Sequence, residues 1–183
     1  MKNPFLIGNR IYFRPLEVDD IERLVKWVND PDITQFLTMG RFPINFAREE
    51  EWLKGLYKGQ NDIALGIVLK DGDIHIGNVG LHQIDWVSRE CIFGIMIGEE
   101  EYQDKGYGTE ATLLMLKYAF EVLNINRVEL TVYEFNKRAI RCYEKAGFIP
   151  EGRLREKVFK NGRYYDILIM SILKNEWGNK LNY

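Results

Sequence analysis

The sequence predicts a single mixed α/β domain. Its 183 residues, 46% of them hydrophobic, are enough for one sizeable core and few for two. Apolar residues alternate in some segments and recur at helical spacing in others, which indicates strands and helices mixed along the chain. Two turn signals, Asp71-Gly72 and Asn161-Gly162, lie between apolar runs and predict β-hairpins. Because no repeat or low-complexity linker divides the chain, residues 1–183 are expected to form one domain.

The first third of the chain predicts a strand followed by two helices. The strand is Ile11–Pro15, and the helix after it, within residues 16–30, shows apolar residues at helical spacing and ends at Asp-Pro-Asp. An aromatic-rich loop is expected at residues 33–45. The second helix is expected at residues 46–57, with Asn45 as its N-cap.

The rest of the chain predicts a strand-rich domain in which a buried helix follows a glycine segment. Residues 109–123 are apolar on nearly every face, which is typical of a buried helix. Asn136 and Gly147 mark the start and end of a further helix. The remaining strands are expected at 63–69, 74–86, 91–97, 127–133, 148–159 and 163–173.

Composition excludes several classes of function. A net charge of −2 does not fit the basic footprint of a nucleic-acid-binding protein. No uncharged run approaches the length of a membrane span, and the N-terminus lacks the apolar segment of a secretory signal. The two cysteines and two histidines match no disulfide framework or metal-site spacing. We therefore expect a cytoplasmic protein with no metal, no nucleic-acid partner and no membrane partner.

The segment around Gly106 and Gly108 predicts an anion site. Two glycines ahead of a helix allow the backbone to approach a phosphate, which the helix N-terminus attracts. A P-loop is excluded because GxxxxGK[ST] does not occur. The dinucleotide fingerprint GxGxxA is present, ending at Ala111 with Glu134 23 residues beyond. However, only one helix and an antiparallel hairpin are expected after the strand at 127–133, whereas a doubly wound sheet needs further βα units there. A simple turn before a core helix remains a third interpretation.

The segment Gln103–Gly108, QDKGYG, resembles the Q/R-x-x-G-x-G/A pyrophosphate loop of GNAT-superfamily N-acetyltransferases. The similarity continues through GYGTEATLLMLKYAF and FNKRAIRCYEKAGF into the final hairpin, and is strongest over residues 76–173. This half resembles the RimJ/RimL-type branch and also the spermidine acetyltransferases. The resemblance implies a central, mostly antiparallel mixed sheet of about seven strands flanked by about four helices, with acetyl-CoA as co-substrate.

The resemblance also implies which residues contact acetyl-CoA. The strand before the loop would run beside the pantetheine arm, and Asn136 would contact that arm. Asp104 departs from the glycine that is common in the family, although Asp tolerates left-handed backbone. The implied binding residues are Ile95, Met96, Ile97, Gln103, Asp104, Lys105, Gly106, Tyr107, Gly108, Thr109 and Asn136.

Tyr143 is the implied catalytic residue. It shares a helical face with Asn136, because an offset of seven residues spans two turns. From the residues alone, Asn136 fits a helix cap and Tyr143 a buried core tyrosine. In related enzymes the equivalent tyrosine points at the thioester sulfur, where it would protonate the departing thiolate. The resemblance thus implies direct transfer in a ternary complex, without an acyl-enzyme.

The general base remains open at this stage. Many relatives carry glutamate two residues before the position of Gly94, where this sequence has Ile92. The alternatives are a water relay or one of four side chains. These side chains are Glu90, Asp85, His82 and Glu134.

The resemblance implies that the acceptor is an amine. Classes of amine differ in pKa, and therefore in how much they depend on a general base. About a tenth of an α-amino group is neutral at pH 7, against roughly one in 2,500 for a lysine-like amine. The missing glutamate therefore favours a protein or peptide N-terminus. Alternatives are a small amine (polyamine, amino sugar or aminoglycoside) or a non-catalytic acyl-CoA-binding module. The acidic clusters Glu49–Glu51 and Glu99–Glu101 fit solvated surface, and a homodimer is expected as the commonest assembly.

Overall fold

A computed structural model describes residues 1–38 and 40–180. In these residues, one eight-stranded sheet has the order β1-β2-β3-β4-β5-β6-β8-β7, and every neighbouring pair is antiparallel except β5 with β6. The mixed α/β class and the mostly antiparallel sheet are confirmed.

The strands are β1 Leu6–Ile7, β2 Ile11–Pro15, β3 Ile63–Leu69, β4 His75–Asp85, β5 Glu90–Ile97, β6 Arg127–Tyr133, β7 Ile149–Lys160 and β8 Arg163–Leu173. The α-helices are α1 Ile21–Asn29, α2 Pro31–Thr34, α3 Phe46–Leu56, α4 Tyr107–Lys117, α5 Lys137–Ala146 and α6 Lys174–Lys180. A π-helical turn, Tyr118–Val122, continues α4.

The described residues contain one strand and two helices more than predicted. β1 has only two residues, too short for an alternation signal. The expected loop at 33–45 is wrong at its first two residues, which belong to α2; Pro31 begins this helix and the Asp30 side chain caps it. In α6, Trp177 packs into the core. Met39, within the expected loop, and residues 181–183, within the expected domain, lie outside the described residues.

The sheet separates two helical layers. Alternate residues of β3 face opposite sides, so that Leu65 and Ile67 join the main core while Ala64 joins a smaller one. The main core holds Met115 of α4 and the apolar face of α5. The smaller core, made of Leu16, Ile21, Leu53, Leu56 and Ala64, is covered by α1 and α3. The two faces of the sheet are called here the α4–α5 face and the α1–α3 face.

β5 and β6 part after a short parallel contact. They pair only at Glu90–Ile92 with Arg127–Glu129, although β5 continues to Ile97 and β6 to Tyr133. β4 and β8 hold the outer edges of the two strands along their lengths. The inner edges therefore diverge and open a cleft through the middle of the sheet.

A buried ionic network joins β2, the N-cap residue of α1, Asp20, and β4. Arg14 donates two 2.7 Å hydrogen bonds to the Asp20 carboxylate, and Nδ1 of His75 lies 3.2 Å from the same carboxylate. Burial alone would raise the pKa of the Asp20 carboxyl, but hydrogen bonds from Arg14, His75 and the Glu17 N–H hold it well below its usual range. The carboxylate thus stays charged and neutralises a buried guanidinium.

Asp20→Asn should lower the free energy of unfolding at pH 7 by about 3 kcal/mol, because it leaves the buried Arg14 unpaired. Since folding lowers this pKa, the wild-type contribution is complete above the usual aspartate range and declines as the pH falls below about 4. Urea unfolding at pH 7 and at pH 3 should therefore show the two proteins converging in acid. The exposed neighbour variant Asp19→Asn is the control and should match wild type; an equal loss in both variants would contradict the network's role.

Candidate active site

The cleft between β5 and β6 opens into a cavity of about 830 Å³ that reaches both faces of the sheet. On the α1–α3 face its lining includes Arg48, Glu49 and Trp52 of α3. On the α4–α5 face it includes the start of α4 and the buried side of α5. A molecule bound in this cavity can contact groups from both helical layers.

β5 supplies the wall of the cleft. Ile95, Met96 and Ile97 all line the cavity, beyond the last residue pair between β5 and β6. The Gln103 side chain donates a 3.1 Å hydrogen bond to the Ile97 carbonyl, which ties the loop after β5 back to the strand. The expected position of these residues beside a ligand is consistent with this geometry.

The glycine segment forms a left-handed turn at the start of α4. Gly106 is the N-cap, with φ 83°, and no side chain caps the first-turn N–H groups. Asp104 is also left-handed, with φ 56°, as its tolerance of that conformation predicts. Gly108 lies inside the helix, where a Cβ would meet only Cys142 Sγ at 3.9 Å. The uncapped amides and the dipole of α4 therefore face a space that can hold an anion.

Arg10, a residue that sequence reasoning did not single out, braces this turn from outside. Its guanidinium donates to the Lys105 carbonyl at 3.0 Å, pairs with Glu110 at 2.9 Å and lies 4.4 Å from the centre of the Tyr107 ring. Burial alone would raise the pKa of the Glu110 carboxyl, but hydrogen bonds from the Arg10 backbone and side chain lower it. Lys105 and Tyr107 belong to this brace and do not line the cavity.

Arg138 of α5, likewise missed, holds the loop from the other side. It donates to the Gln103 side chain at 2.6 Å and pairs with Asp104 at 3.3 Å. The Asp104 side chain is 72% exposed, so its charge is directed outward and neutralised. The sequence signal that could have identified Arg138 was its position in the predicted helix, two residues after Asn136.

Asn136 serves as the N-cap of α5. Its side-chain oxygen accepts the Ala139 N–H at 3.1 Å, as predicted from the residues alone. Asn136 also lines the cavity, and its side-chain nitrogen makes no hydrogen bond to another described residue. The cap therefore leaves an amide donor on the side from which a ligand would approach.

Tyr143 lies two turns further along α5, packed edge-on against Phe93 and Phe148. It is 9% exposed and lines the cavity. No described residue hydrogen-bonds to its phenol, yet every fully buried side-chain N or O atom in the described residues has a partner. The hydroxyl must therefore reach the cavity.

Burial raises the pKa of Tyr143, and the nearby Cys142 adds to the effect. The phenol consequently stays protonated through the neutral range and can donate a proton to an anion that forms beside it. The Cys91 thiol is unreactive as a nucleophile, since burial, with a smaller contribution from Glu90, raises its pKa to about 12.

The four base candidates have different surroundings. Asp85 accepts hydrogen bonds from Ser88 and Val87, which lower its pKa and commit it to a turn. Glu134 is paired with Arg153 at 3.0 Å and accepts the Asp166 N–H. Glu90 is exposed at the start of β5. Of the four, His82 is the one that lines the large cavity.

The two acidic clusters, Glu49–Glu51 and Glu99–Glu101, lie in different surroundings. Glu99 accepts hydrogen bonds from Trp27 and Lys26, so it is part of the fold. Glu49 is 7% exposed and lines the cavity. The prediction that it lies on the solvated surface is therefore wrong. Burial raises its pKa, partly offset by Arg48, and no described residue pairs with its carboxylate. Sequence could not show that α3 turns this one acid inward.

No group of three or more His, Cys, Asp or Glu residues suited to a metal occurs in the described part of the chain. No helix within residues 1–38 and 40–180 is long and apolar enough to cross a membrane.

Residues 10–149 match the family model described as the acetyltransferase (GNAT) domain. The chain belongs to the GNAT acetyltransferases. It is 39% identical over 170 residues to the spermidine N(1)-acetyltransferase of Escherichia coli K12, covering 93% of this chain and 89% of that protein. It is 31% identical over 177 residues to YdaF of Bacillus subtilis strain 168, provisionally named a ribosomal N-acetyltransferase, covering 93% and 95%.

A crystal structure of the Vibrio cholerae spermidine N-acetyltransferase, in complex with CoA and spermine, superposes with a TM-score of 0.87. The match has 29% identity and covers 93% of this chain and 99% of that one. The GNAT family assignment makes this chain an acetyl-CoA-dependent N-acetyltransferase, with the predicted fold and co-substrate.

Gly106→Ala should destabilise this GNAT domain by about 1–2 kcal/mol, because its backbone is left-handed and a Cβ would come within 3.3 Å of Arg10. Gly108→Ala, with helical backbone and open space, is the matched control. Thermal unfolding without ligand should show a lower melting temperature for Gly106→Ala and an unchanged or higher one for Gly108→Ala. Equal effects would show that the turn does not need the left-handed conformation.

Proposed function

We propose that the chain transfers the acetyl group of acetyl-CoA to the α-amine of a protein or peptide N-terminus. The observation that carries this proposal is the charge of the cavity on the α1–α3 face. Among the described lining residues there, α3 contributes one carboxylate, Glu49, and one guanidinium, Arg48. Such a lining suits an acceptor that brings a single positive charge better than a polycation.

In this proposal the α4–α5 face binds acetyl-CoA. The uncapped amides after Gly106 would hold the pyrophosphate, with Gln103 and Asp104 in the preceding loop and Gly108 and Thr109 in the first turn of α4 beside it. Lys105 and Tyr107 would support that turn from outside, through Arg10. The support is geometric: a left-handed glycine, a helix N-terminus and a bracing ion pair occur together at one mouth of the cavity.

The cleft wall would hold the pantetheine arm. Ile95, Met96 and Ile97 offer an apolar surface and a strand edge that β6 leaves free, and Asn136 offers an amide donor opposite. Bound acetyl-CoA supplies an electrophilic thioester carbonyl. Backbone N–H groups on this edge of β5 would stabilise negative charge that develops on its oxygen.

Tyr143 would act as the general acid. Its hydroxyl reaches the cavity and has no hydrogen-bond partner among residues 1–38 and 40–180, and its raised pKa keeps the proton in place until an anion forms nearby. An emerging thiolate is such an anion, and protonating it makes its departure favourable. Neither Cys91 nor Cys142 is needed as a nucleophile.

A polyamine is the second candidate acceptor. The 39% identity to a spermidine N(1)-acetyltransferase over most of the chain favours it. Against it stand the one carboxylate that α3 contributes to the described cavity lining, Glu49, and Ile92 at the position where a glutamate base is common. A high-pKa amine depends on a strong base more than an α-amine does.

Tyr143→Phe should lower kcat by about 100-fold to 10,000-fold, since it removes the proton donor and keeps the ring. Acetyl-CoA should still raise the melting temperature of the variant. Tyr118→Phe, whose ring packs on Phe5 outside the cavity, is the control and should retain wild-type turnover. Full turnover by Tyr143→Phe, with chemistry rate-limiting, would remove the tyrosine from the mechanism.

The acceptor class is tested by release of the CoA thiol. A peptide with a free N-terminus and no lysine should give the highest kcat/KM, and the same peptide with an acetylated N-terminus should give none. Spermidine, an amino sugar and an aminoglycoside complete the comparison. A kcat/KM for spermidine above that of every free peptide would reject the N-terminal acceptor and establish the polyamine.

A further inference from the structure

His82 lies against the floor of the cavity at the point where β5 leaves β6. Its β4 position faces Ile92 of β5, which forms the last residue pair with β6. The imidazole lies over two glycines: a Cβ on Gly80 would be 2.7 Å from Nε2, and one on Gly94 would be 3.4 Å from it. The absence of a side chain at Gly80 therefore keeps open the space that the ring occupies, whereas a Cβ at Gly94 would only touch the ring.

Asp62 determines which ring nitrogen is free. Its carboxylate lies 3.1 Å from Nδ1 of His82 and also accepts the Gln83 N–H at 3.3 Å. A carboxylate can only accept, so Nδ1 carries the proton and donates it. In the neutral imidazole with Nδ1 donating to Asp62, the lone pair is on Nε2, beside Gly80 at the cavity floor.

The backbone directs His82 to this position. The β4–β5 register shifts between His82 and Asp85, and Gln83 has φ 50°, a conformation that is strained for a residue other than glycine. Such bulges commonly redirect a side chain next to an active site. The His82 side chain is 39% exposed and that of Asp62 is 51% exposed, so a proton taken up by the ring can pass to water.

We propose that His82 is the general base of the acetyl transfer and that Asp62 is its positioning residue. This rests on the proposed function, which requires a base on the acceptor side. An imidazole with a free Nε2 and a carboxylate behind Nδ1 is a common arrangement for activating a nucleophile. In this proposal His82 replaces the glutamate base that many relatives carry at the position of Ile92, the residue that pairs with His82 on β5.

The proposed transfer removes two protons from the acceptor nitrogen. Nε2 of His82 takes one proton from the acceptor ammonium, so that the nitrogen attacks with a lone pair. The N–C bond forms, the C–S bond breaks and its electron pair leaves on sulfur, which receives a proton from Tyr143. The nitrogen loses its second proton as the amide forms, which replaces the proton given by Tyr143, and His82 releases its proton to water. The products are amide, thiol and one proton.

His82→Gln should lower kcat/KM for the acceptor by about 100-fold or more, with the KM for acetyl-CoA and its thermal stabilisation unchanged. Asp62→Asn should cause a smaller loss, which disappears in the His82→Gln background because the carboxylate acts through the ring. Glu90→Gln, an exposed carboxylate of the same hairpin, is the control and should match wild type.

Two readouts separate a base from a structural side chain. Across acceptors of decreasing amine pKa, the loss in His82→Gln should shrink, because less proton removal is needed. Added imidazole should restore part of the activity of His82→Ala. A uniform loss across amines without imidazole rescue, or wild-type activity in His82→Gln, would overturn the proposal.

These assays use whichever acceptor the wild-type enzyme turns over best. A wrong acceptor class would therefore appear as a preference of the wild-type protein, whereas a wrong base would appear as unaltered kinetics in His82→Gln. The two proposals can fail independently.

Discussion

The site depends on the early parting of β5 and β6. Parallel strands usually continue to hydrogen-bond along their shared length, and a sheet with unsatisfied inner edges loses that stabilisation. Here three residue pairs hold the two strands together, and the outer neighbours β4 and β8 keep each strand extended beyond that point. The resulting cleft connects the two helical layers and leaves backbone groups available to a ligand.

Ionic contacts at the periphery keep the edges of this cleft in place. Arg10 and Arg138 grip the loop after β5 from opposite sides, and the Arg14–Asp20–His75 network fixes β4 against α1. Each of these arginines is paired with a carboxylate, which offsets the cost of removing its charge from water and links neighbouring elements. The turn at Gly106 can therefore keep a left-handed backbone and uncapped amides before any ligand binds.

The proposed acid, Tyr143, and the proposed base, His82, lie in different environments on the two sides of the cleft. Tyr143 is enclosed by Phe93 and Phe148, and desolvation keeps it protonated. His82 lies on the more open α1–α3 face and is oriented by Asp62. An apolar enclosure keeps a proton donor protonated, and a site near water lets a proton acceptor exchange its proton, so both can act at one pH.

The sequence by itself determined the local features of the protein. Turn chemistry predicted both hairpins, helix caps at Asn45, Asn136 and Gly147 were in place, and the QDKGYG motif indicated the family and its co-substrate. Such features depend on residues close together in the chain, so their physics is contained in short segments. Short elements such as β1 and α2 lack enough residues to show periodicity, and they were missed for that reason.

Only the tertiary structure decided which side chains meet in the cavity. Arg10 reaches Glu110 and Lys105 from the other end of the chain, and α3 turns Glu49 inward. Asp62, directly before β3, contacts His82 on the neighbouring strand β4. The same distinction applies to the four base candidates, which are equivalent in sequence and differ in what surrounds them. Burial, pairing and pKa arise from contacts between distant segments, and one sequence without its fold does not specify those contacts.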